Sequence, residues 1–205
     1  MYKWIEVNLD AIKNNYVKVR ENIDPKTKIL AVVKADAYGH GLIEVSKELV
    51  RQGVDYLGVT EIAEGIKLRE AGLSVPILVF GSFLSEDAFY FQEFKLTATL
   101  ADLETIKKVI VQNLKFTFHL KVETGLGRTG LKYDQLAKFV EIIRDNNDII
   151  FEGVYSHLAT SMWSDNSFSK KQFSEFTKAI DFLKSHGFNP PLKHICNSAA
   201  FVKFP

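Results

Sequence analysis

Residues 29–41 read ILAVVKADAYGHG, an apolar run of strand length that ends in a lysine and leads into a turn of small residues. Similar β-branched and aromatic runs recur along the chain and alternate with segments of helical spacing. Most of them are apolar along their whole length, which is typical of parallel strands covered by helices. The repeated strand–helix units predict an α/β fold with right-handed crossovers.

The number of units bears on the choice between a barrel and an open sheet. Seven units can be counted between Lys28 and Cys196, and a complete eight-stranded barrel typically takes about 250 residues. We therefore expect residues 9–205 to form an incomplete (β/α)8 TIM-like barrel, with about seven of its eight units. The run at residues 4–7 precedes the first helix, so residues 1–8 are expected to pair elsewhere. Helix caps are predicted at Asp10 and Asp102.

Composition excludes several classes of function. The 205 residues include 26 basic and 25 acidic side chains, so no general basic field is available for nucleic acid. The longest apolar runs are far too short to span a membrane, and the N-terminus has no apolar core of a secretion signal. The single cysteine, Cys196, cannot form an internal disulfide. We expect a soluble, cytoplasmic protein without nucleic-acid or membrane partners.

The chemistry-bearing residues follow the strands, at the carboxyl ends where parallel α/β folds place active sites. Lys34 ends an apolar strand, so partial desolvation would disfavour its charged form and leave a nucleophilic amine. Such an amine can form a Schiff base with an aldehyde cofactor or a carbonyl substrate. The alternative is a lysine that merely extends from the strand end into water.

Two other patterns, one typical of dinucleotide binding and one of metal binding, are weaker indications of function. Residues 125–130 match the G-x-G-x-x-G pattern of dinucleotide sites, but Asp148 precedes the next strand and His157 ends it, so the expected acid is missing. We interpret the segment as a glycine-rich turn. His119, His157 and His194 lie on strands without any established spacing of metal ligands, and no metal site is predicted.

Five segments, taken together, resemble the alanine racemase family. The stretch VKADAYGHG at 33–41 is similar to the family's pyridoxal-phosphate lysine motif. The segments KVETGLGR at 121–128, EGVYSH at 152–157 and HICNSAA at 194–200 agree with the family in order and spacing, and WIEVNLD at 4–10 resembles its start. The resemblance covers essentially the whole chain and implies pyridoxal 5'-phosphate as cofactor.

The resemblance also implies roles for the matching residues. Lys34 would carry the cofactor as an internal aldimine and act as the base on one face of the substrate Cα. Tyr38 and Ser198 would bind the cofactor phosphate, and Asn197 would support the Ser198 loop. Arg128 would bind the cofactor's phenolic oxygen and the substrate carboxylate.

Three further positions follow from the same resemblance. His157 would lie against the pyridine ring. Lys121 is expected near Arg128, where two cations would repel each other; the matching lysine of the family is often carbamylated, and we predict this anionic form for Lys121. Glu123 replaces a more usual aspartate and Leu126 a frequent methionine, both conservative changes.

The implied activity is racemisation of a small amino acid, most simply of L- and D-alanine for peptidoglycan precursors, by a homodimer. The family's second base, a tyrosine, and its arginine at the pyridine nitrogen have no counterpart in residues 1–205. We therefore expect the chain to be the barrel part of a longer racemase, with little activity alone, and residues 1–8 to pair with a C-terminal β-domain. The alternative is a single-domain pyridoxal-phosphate carrier or homeostasis protein without racemase activity.

Overall fold

The computed structural model describes residues 4–146 and 148–204, and the chain divides into two compact units, Met1–Gly81 and Ser82–Pro205. Within the described residues, seven β-strands alternate with helices. None of the described helices combines the length and apolarity that crossing a bilayer would take.

The first unit contains three parallel strands in the order β1-β2-β3, with Leu30 opposite Tyr56 and Leu57 opposite Ile77. Strands β2 and β3 are buried along their whole length, as expected for apolar strands covered on both faces. Full burial of a side chain such as Leu57 or Ile77 contributes about 1.5–3 kcal/mol. The elements of this unit are α1 (Leu9–Glu21), β1 (Leu30–Val32), α2 (Lys34–Gly39), α3 (Leu42–Arg51), β2 (Tyr56–Val59), α4 (Ile62–Glu70) and β3 (Ile77–Val79).

The second unit contains four parallel strands in the order β4-β5-β6-β7. The register places Lys121 opposite Tyr155 and Tyr155 opposite His194, so three polar side chains meet near the carboxyl ends of the strands. The elements of this unit are α5 (Phe89–Glu93), β4 (Thr97–Leu100), α6 (Leu103–Ile110), β5 (Thr117–Lys121), α7 (Leu136–Ile143), β6 (Ile150–Tyr155), α8 (Ser167–Ser185), β7 (Leu192–His194) and α9 (Ser198–Lys203).

One of the two predicted helix caps is confirmed and the other is wrong. Asp102 caps α6, where its Oδ1 accepts a 2.7 Å hydrogen bond from the Thr105 N–H. Helix α1 begins two residues earlier than expected, and Asn8 Oδ1 accepts from the Ala11 N–H at 3.1 Å. Asp10 therefore lies inside the first turn, where its charge still interacts favourably with the helix dipole.

The segment before α1 forms neither helix nor strand over residues 4–8. Trp4 and Ile5 are 75% and 80% exposed. The predicted pairing of residues 1–8 with another domain falls partly on residues 1–3, which lie outside the described residues, and it stays a prediction.

Candidate functional site

The short segment after β1, given above as α2 (Lys34–Gly39), carries Lys34 and has an unusual backbone. It is called the Lys34 turn, or the turn after β1, below. Four consecutive residues lie in the left-handed region: Ala35 at φ 50°, Asp36 at 55°, Ala37 at 52° and Tyr38 at 56°. In this region the Cβ of an L-residue crowds the following carbonyl, at a cost of roughly 1–2 kcal/mol per residue. Such strain persists only where the surroundings hold it, and it concentrates at functional sites.

Hydrogen bonds on both sides hold this turn. The Ala37 N–H donates to the Val33 carbonyl at 2.8 Å, and the Gly41 N–H donates to the Asp36 carbonyl at 2.9 Å. The Asp36 carboxylate accepts a 2.7 Å bond from the Leu42 N–H, which ties the turn to the start of α3. The turn is thus anchored to the strand before it and to the helix after it.

Lys34 itself stands directly beyond the carboxyl end of β1, where the sequence placed it, and is half-buried. Across the described part of the chain, no carboxylate forms an ion pair with its amine. Tyr38, four residues on, is 60% exposed. The first unit therefore presents an unpaired amine and an accessible phenol on one short turn.

In the second unit, the loop after β5 is wrapped around the Glu123 carboxylate. That carboxylate accepts hydrogen bonds from the backbone N–H groups of Gly125 at 2.5 Å, Gly127 at 3.0 Å and Arg128 at 3.2 Å. Partial burial alone would raise the pKa of Glu123, but the bonds from the loop backbone outweigh it and lower the pKa below its ordinary value. The loop is a glycine-rich turn whose N–H donors already have an acceptor, so they are not available to a dinucleotide phosphate.

Lys121, at the end of β5, is a buried amine beside this loop. The residue is 5% exposed, and its Nζ donates a 2.8 Å hydrogen bond to Thr129 Oγ1. Burial, and then the positive charge of Arg128, lower the pKa of Lys121 to about 8, although Glu123 partly opposes the shift. Arg128 is exposed, and no carboxylate among the described residues pairs with it.

Tyr155, at the end of β6, lies between Lys121 and the last strand. Its hydroxyl is 3.0 Å from Thr99 Oγ1, and its ring centroid is 5.8 Å from Lys121 Nζ. The ring also stacks on His194 with centroids 4.9 Å apart and an interplanar angle of 6°. Burial raises the pKa of Tyr155 far above its ordinary value, so this phenol stays protonated.

His194 continues into a hydrogen-bonded chain of three side chains. His119 Nδ1 is 2.9 Å from His194 Nε2, and His119 Nε2 is 3.2 Å from Glu152 Oε2. Because a carboxylate only accepts, His119 Nε2–H is the donor in the contact with Glu152 Oε2. Burial, and then His119, lower the pKa of His194 to about 3. No group of metal ligands is found in the described ranges. His119 Nδ1 and His194 Nε2 are hydrogen-bonded to each other.

The loops after β6 and β7 carry the remaining predicted residues. The His157 carbonyl accepts a 3.0 Å bond from Gln172 Nε2, so α8 positions this residue. Asn197 Oδ1 accepts from the Ala200 N–H at 3.0 Å and from Ser161 Oγ at 2.9 Å, a supporting arrangement for the loop. Ser198 begins α9 with an exposed side chain.

Several residues in these clusters were missed by the sequence analysis. Glu64 binds the Lys34 turn, and Gln172, which is fully buried, connects α8 to the loops that carry Thr124 and His157. The spacing Glu61-x-x-Glu64 is related to a capping box and could have drawn attention to Glu64. Gln172 has no local signal, since its partners lie far away in sequence.

Comparisons with known proteins agree with one another. The family model described as alanine racemase, N-terminal domain, matches residues 7–205. The alanine racemase of Methanococcus maripaludis is 40% identical over 98% of this chain and 56% of its own length. Alanine racemase 2 of Bacillus subtilis is 37% identical, with 98% of this chain and 53% of that protein covered.

Solved structures give the same result. The alanine racemase of Clostridium difficile 630 has a TM-score of 0.94 at 34% identity, covering 98% of this chain and 54% of that one. The Bacillus anthracis alanine racemase, solved with bound L-Ala-P, also has a TM-score of 0.94, at 33% identity, with 100% and 54% covered. This chain thus spans about half the length of the relatives it matches. The similarity confirms the predicted fold class, that of the alanine racemase barrel with about seven β/α units, and the chain belongs to the family of alanine racemase N-terminal domains.

Proposed function

We propose that this chain supplies the cofactor-binding part and one catalytic base of a pyridoxal-phosphate-dependent alanine racemase. The observation that carries the proposal is the family match over residues 7–205, which includes the segments of Lys34 and Arg128. The relatives of similar sequence bear the name alanine racemase. L- and D-alanine are accordingly the proposed substrates.

The donor set of the chain fits pyridoxal 5'-phosphate. The Lys34 amine, which has no carboxylate partner among the described residues, suits an aldehyde, and the exposed hydroxyls of Tyr38 and Ser198 suit a phosphate. Arg128, exposed and without a carboxylate partner in the described residues, suits an anionic oxygen. His157 is proposed to lie against the pyridine ring, and Asn197 to act through the Ser198 loop.

Each chain residue then has a defined task. Pyridoxal phosphate, when bound, supplies an electron sink that makes the Cα proton of an attached amino acid removable. Lys34 Nζ would hold the cofactor when no substrate is attached, and the same amine, when free, would exchange the proton on one face of Cα. Arg128 binds the substrate carboxylate and so restricts the orientation of the substrate.

Lys121 is proposed to be carbamylated. A pKa of about 8 leaves an appreciable fraction of neutral amine near neutral pH, and only that form attacks carbon dioxide. The Nζ lone pair forms the new N–C bond, one proton leaves the nitrogen to solvent, and a carbamate anion results. This anion would offer Arg128 the negative partner that the described residues lack.

Covalent trapping tests the cofactor site. The chain is incubated with pyridoxal phosphate, reduced with borohydride and digested, and the modified lysine is identified by mass spectrometry. We expect the pyridoxyl group on Lys34, its loss in Lys34→Ala, and no change in Lys28→Ala, a control at the exposed start of the same strand segment. Labelling spread equally over surface lysines would contradict the proposal.

Proton exchange separates a racemase from a carrier. L- and D-alanine are incubated with the loaded protein in deuterated water, and the Cα proton is followed by NMR. We expect faster exchange for one enantiomer and none in Lys34→Ala, because Lys34 serves one face. Specific labelling of Lys34 without exchange of either enantiomer would instead favour the carrier function.

The cellular role is proposed on the same basis. We propose that the whole protein acts in the cytoplasm as a homodimer and supplies D-alanine for peptidoglycan precursors; its relatives bear the name alanine racemase. Growth of a D-alanine auxotroph carrying the gene, with Lys34→Ala as control, tests this role. Equal growth of the two strains would contradict it.

A further inference from the structure

We infer that Glu64 is a positioning residue for Lys34. This inference deepens the proposed function and rests on it for the role of the amine. Glu64 lies in the first turn of α4, 30 positions after Lys34. Its effect is exerted through the backbone of Ala35, the residue that follows the lysine.

One carboxylate joins two strand ends. Glu64 Oε1 accepts a 2.6 Å hydrogen bond from the Ala35 N–H, in the turn after β1. Glu64 Oε2 accepts from the Thr60 N–H at 2.9 Å and from the Glu61 N–H at 3.1 Å, both directly after β2. Bonds from N–H groups to an ionised carboxylate are shorter and about twice as strong as neutral ones.

Helix capping explains only part of this arrangement. The bond from the Glu61 N–H belongs to a reciprocal capping box, in which the Glu61 side chain accepts from the Glu64 N–H in return. The bonds from Ala35 and Thr60 lie outside that box. Ala35 is 29 positions away in sequence, so its contact with Glu64 contributes nothing to the cap of α4.

The backbone of the turn explains why such an anchor is needed. Ala35 is the first of four residues with positive φ, a conformation that costs an alanine roughly 1–2 kcal/mol. Without an acceptor for its N–H, Ala35 loses one of the bonds that hold the turn at positive φ. A return to negative φ would redirect the chain on both sides and move Lys34 and Tyr38 relative to β1. The Glu64 carboxylate opposes this relaxation.

A matched pair of variants tests the role. Glu64→Gln keeps the shape of the side chain but replaces one acceptor oxygen with an NH2 group, which cannot accept from an N–H. Glu61→Gln is the control, because it perturbs the same cap of α4 without touching Ala35. We expect Glu64→Gln to slow borohydride-trapped attachment of pyridoxal phosphate to Lys34 about tenfold, the scale of one charge-assisted hydrogen bond, and Glu61→Gln to leave it nearly unchanged.

A second substitution distinguishes positioning from general stability. Glycine adopts positive φ without the Cβ penalty, so Ala35→Gly in the Glu64→Gln background should restore part of the attachment rate. A merely structural role of Glu64 would predict no such rescue. Equal attachment rates in Glu64→Gln and wild type, or failure of Ala35→Gly to restore any rate, would overturn the inference.

Two measurements without the cofactor keep this inference separable from the proposed function. Amide hydrogen exchange at Ala35 should accelerate in Glu64→Gln and not in Glu61→Gln. Competitive acetylation should show a changed reactivity of the Lys34 amine in Glu64→Gln alone. If wild type failed to attach pyridoxal phosphate, the proposed function would fail, and these two readouts would still decide the inference. Unchanged exchange and unchanged reactivity would refute it.

Discussion

Lys121 Nζ donates a 2.8 Å hydrogen bond to Thr129 Oγ1, so a buried amine at the end of β5 meets the loop that bears Arg128. The Thr129 hydroxyl oxygen accepts a hydrogen bond from the amine, but it carries no negative charge that could neutralise a protonated lysine. Burial, and then the positive charge of Arg128, lower the pKa of this lysine more than Glu123 raises it. An amine with a lowered pKa loses its proton at a lower pH than an ordinary lysine does.

The first prediction concerns alkaline pH. The folded pKa of Lys121, about 8, lies below the ordinary 10.5, so the unfolded state binds more protons between these values and the free energy of unfolding rises with pH there. The shift corresponds to at most about 3 kcal/mol. In buffer free of carbon dioxide, Lys121→Met should abolish this rise, measured by urea denaturation.

Two comparisons check that prediction. Lys107→Met, on the exposed face of α6, should leave the rise intact. Bicarbonate should suppress the rise in wild type if the amine is carbamylated, and intact-protein mass under mild conditions should show the added carbon dioxide. An identical pH dependence in wild type and Lys121→Met would contradict the assignment of the low pKa.

The second prediction concerns the loop around Glu123. Glu123→Gln retains the shape of the side chain but loses the charge that gathers three backbone N–H groups, so we expect a loss of about 1–3 kcal/mol in the free energy of unfolding. Because the folded pKa of Glu123 is lowered, its contribution is present above the ordinary value of 4.5 and is lost as pH falls through the folded value. Denaturation curves at neutral and acidic pH measure both effects.

Glu141→Gln is the control for Glu123, since this exposed residue on α7 pairs with Lys138 on its own helix. It should change stability little at any pH. Faster proteolysis of residues 124–130 in Glu123→Gln would support the anchoring role. A loop equally resistant in both variants would argue against it.

The third prediction concerns the contact between Gly153 and His119. A Cβ at Gly153 would lie 2.6 Å from three atoms of the His119 ring, closer than such contacts allow. Gly153→Ala should therefore displace the ring from His194 and Glu152 and cost about 1–3 kcal/mol of overpacking. In the His119→Ala background the same substitution should cost much less, which a double-mutant cycle of unfolding free energies measures. Equal costs in the two backgrounds would show that the ring is not the obstacle.

The fourth prediction concerns acid. The folded pKa of His194, about 3, lies below the ordinary 6.5, so the unfolded state binds more protons between these values and stability falls as pH falls through that window. His194→Gln keeps a donor for His119 Nδ1 and removes the titrating group. The substitution should reduce the slope of the unfolding free energy against pH by up to about 1.4 kcal/mol per pH unit. His186→Gln, on an exposed histidine after α8, should leave the slope unchanged.

Local sequence patterns determined much of this protein. Whole-length apolar runs predicted buried parallel strands, because strands covered on both faces need apolar side chains at every position. The placement of Lys34 followed from the end of such a run. The cap at Asp102 is confirmed because capping depends on residues three positions apart. The prediction of a cap at Asp10 was wrong because Asn8, two residues earlier, has a side-chain oxygen that accepts the capping hydrogen bond.

Tertiary structure decided what depends on residues far apart in sequence. The left-handed turn at residues 35–38 contains no glycine, so its composition did not predict positive φ angles. The Glu64 carboxylate from α4 helps to hold this turn. The pKa of Lys121 is low because burial removes water from an amine whose neighbour is Arg128. The chain sequence therefore determined which residue types follow each strand, whereas packing determined their conformation and charge, because desolvation and long-range hydrogen bonds exist only in the folded protein.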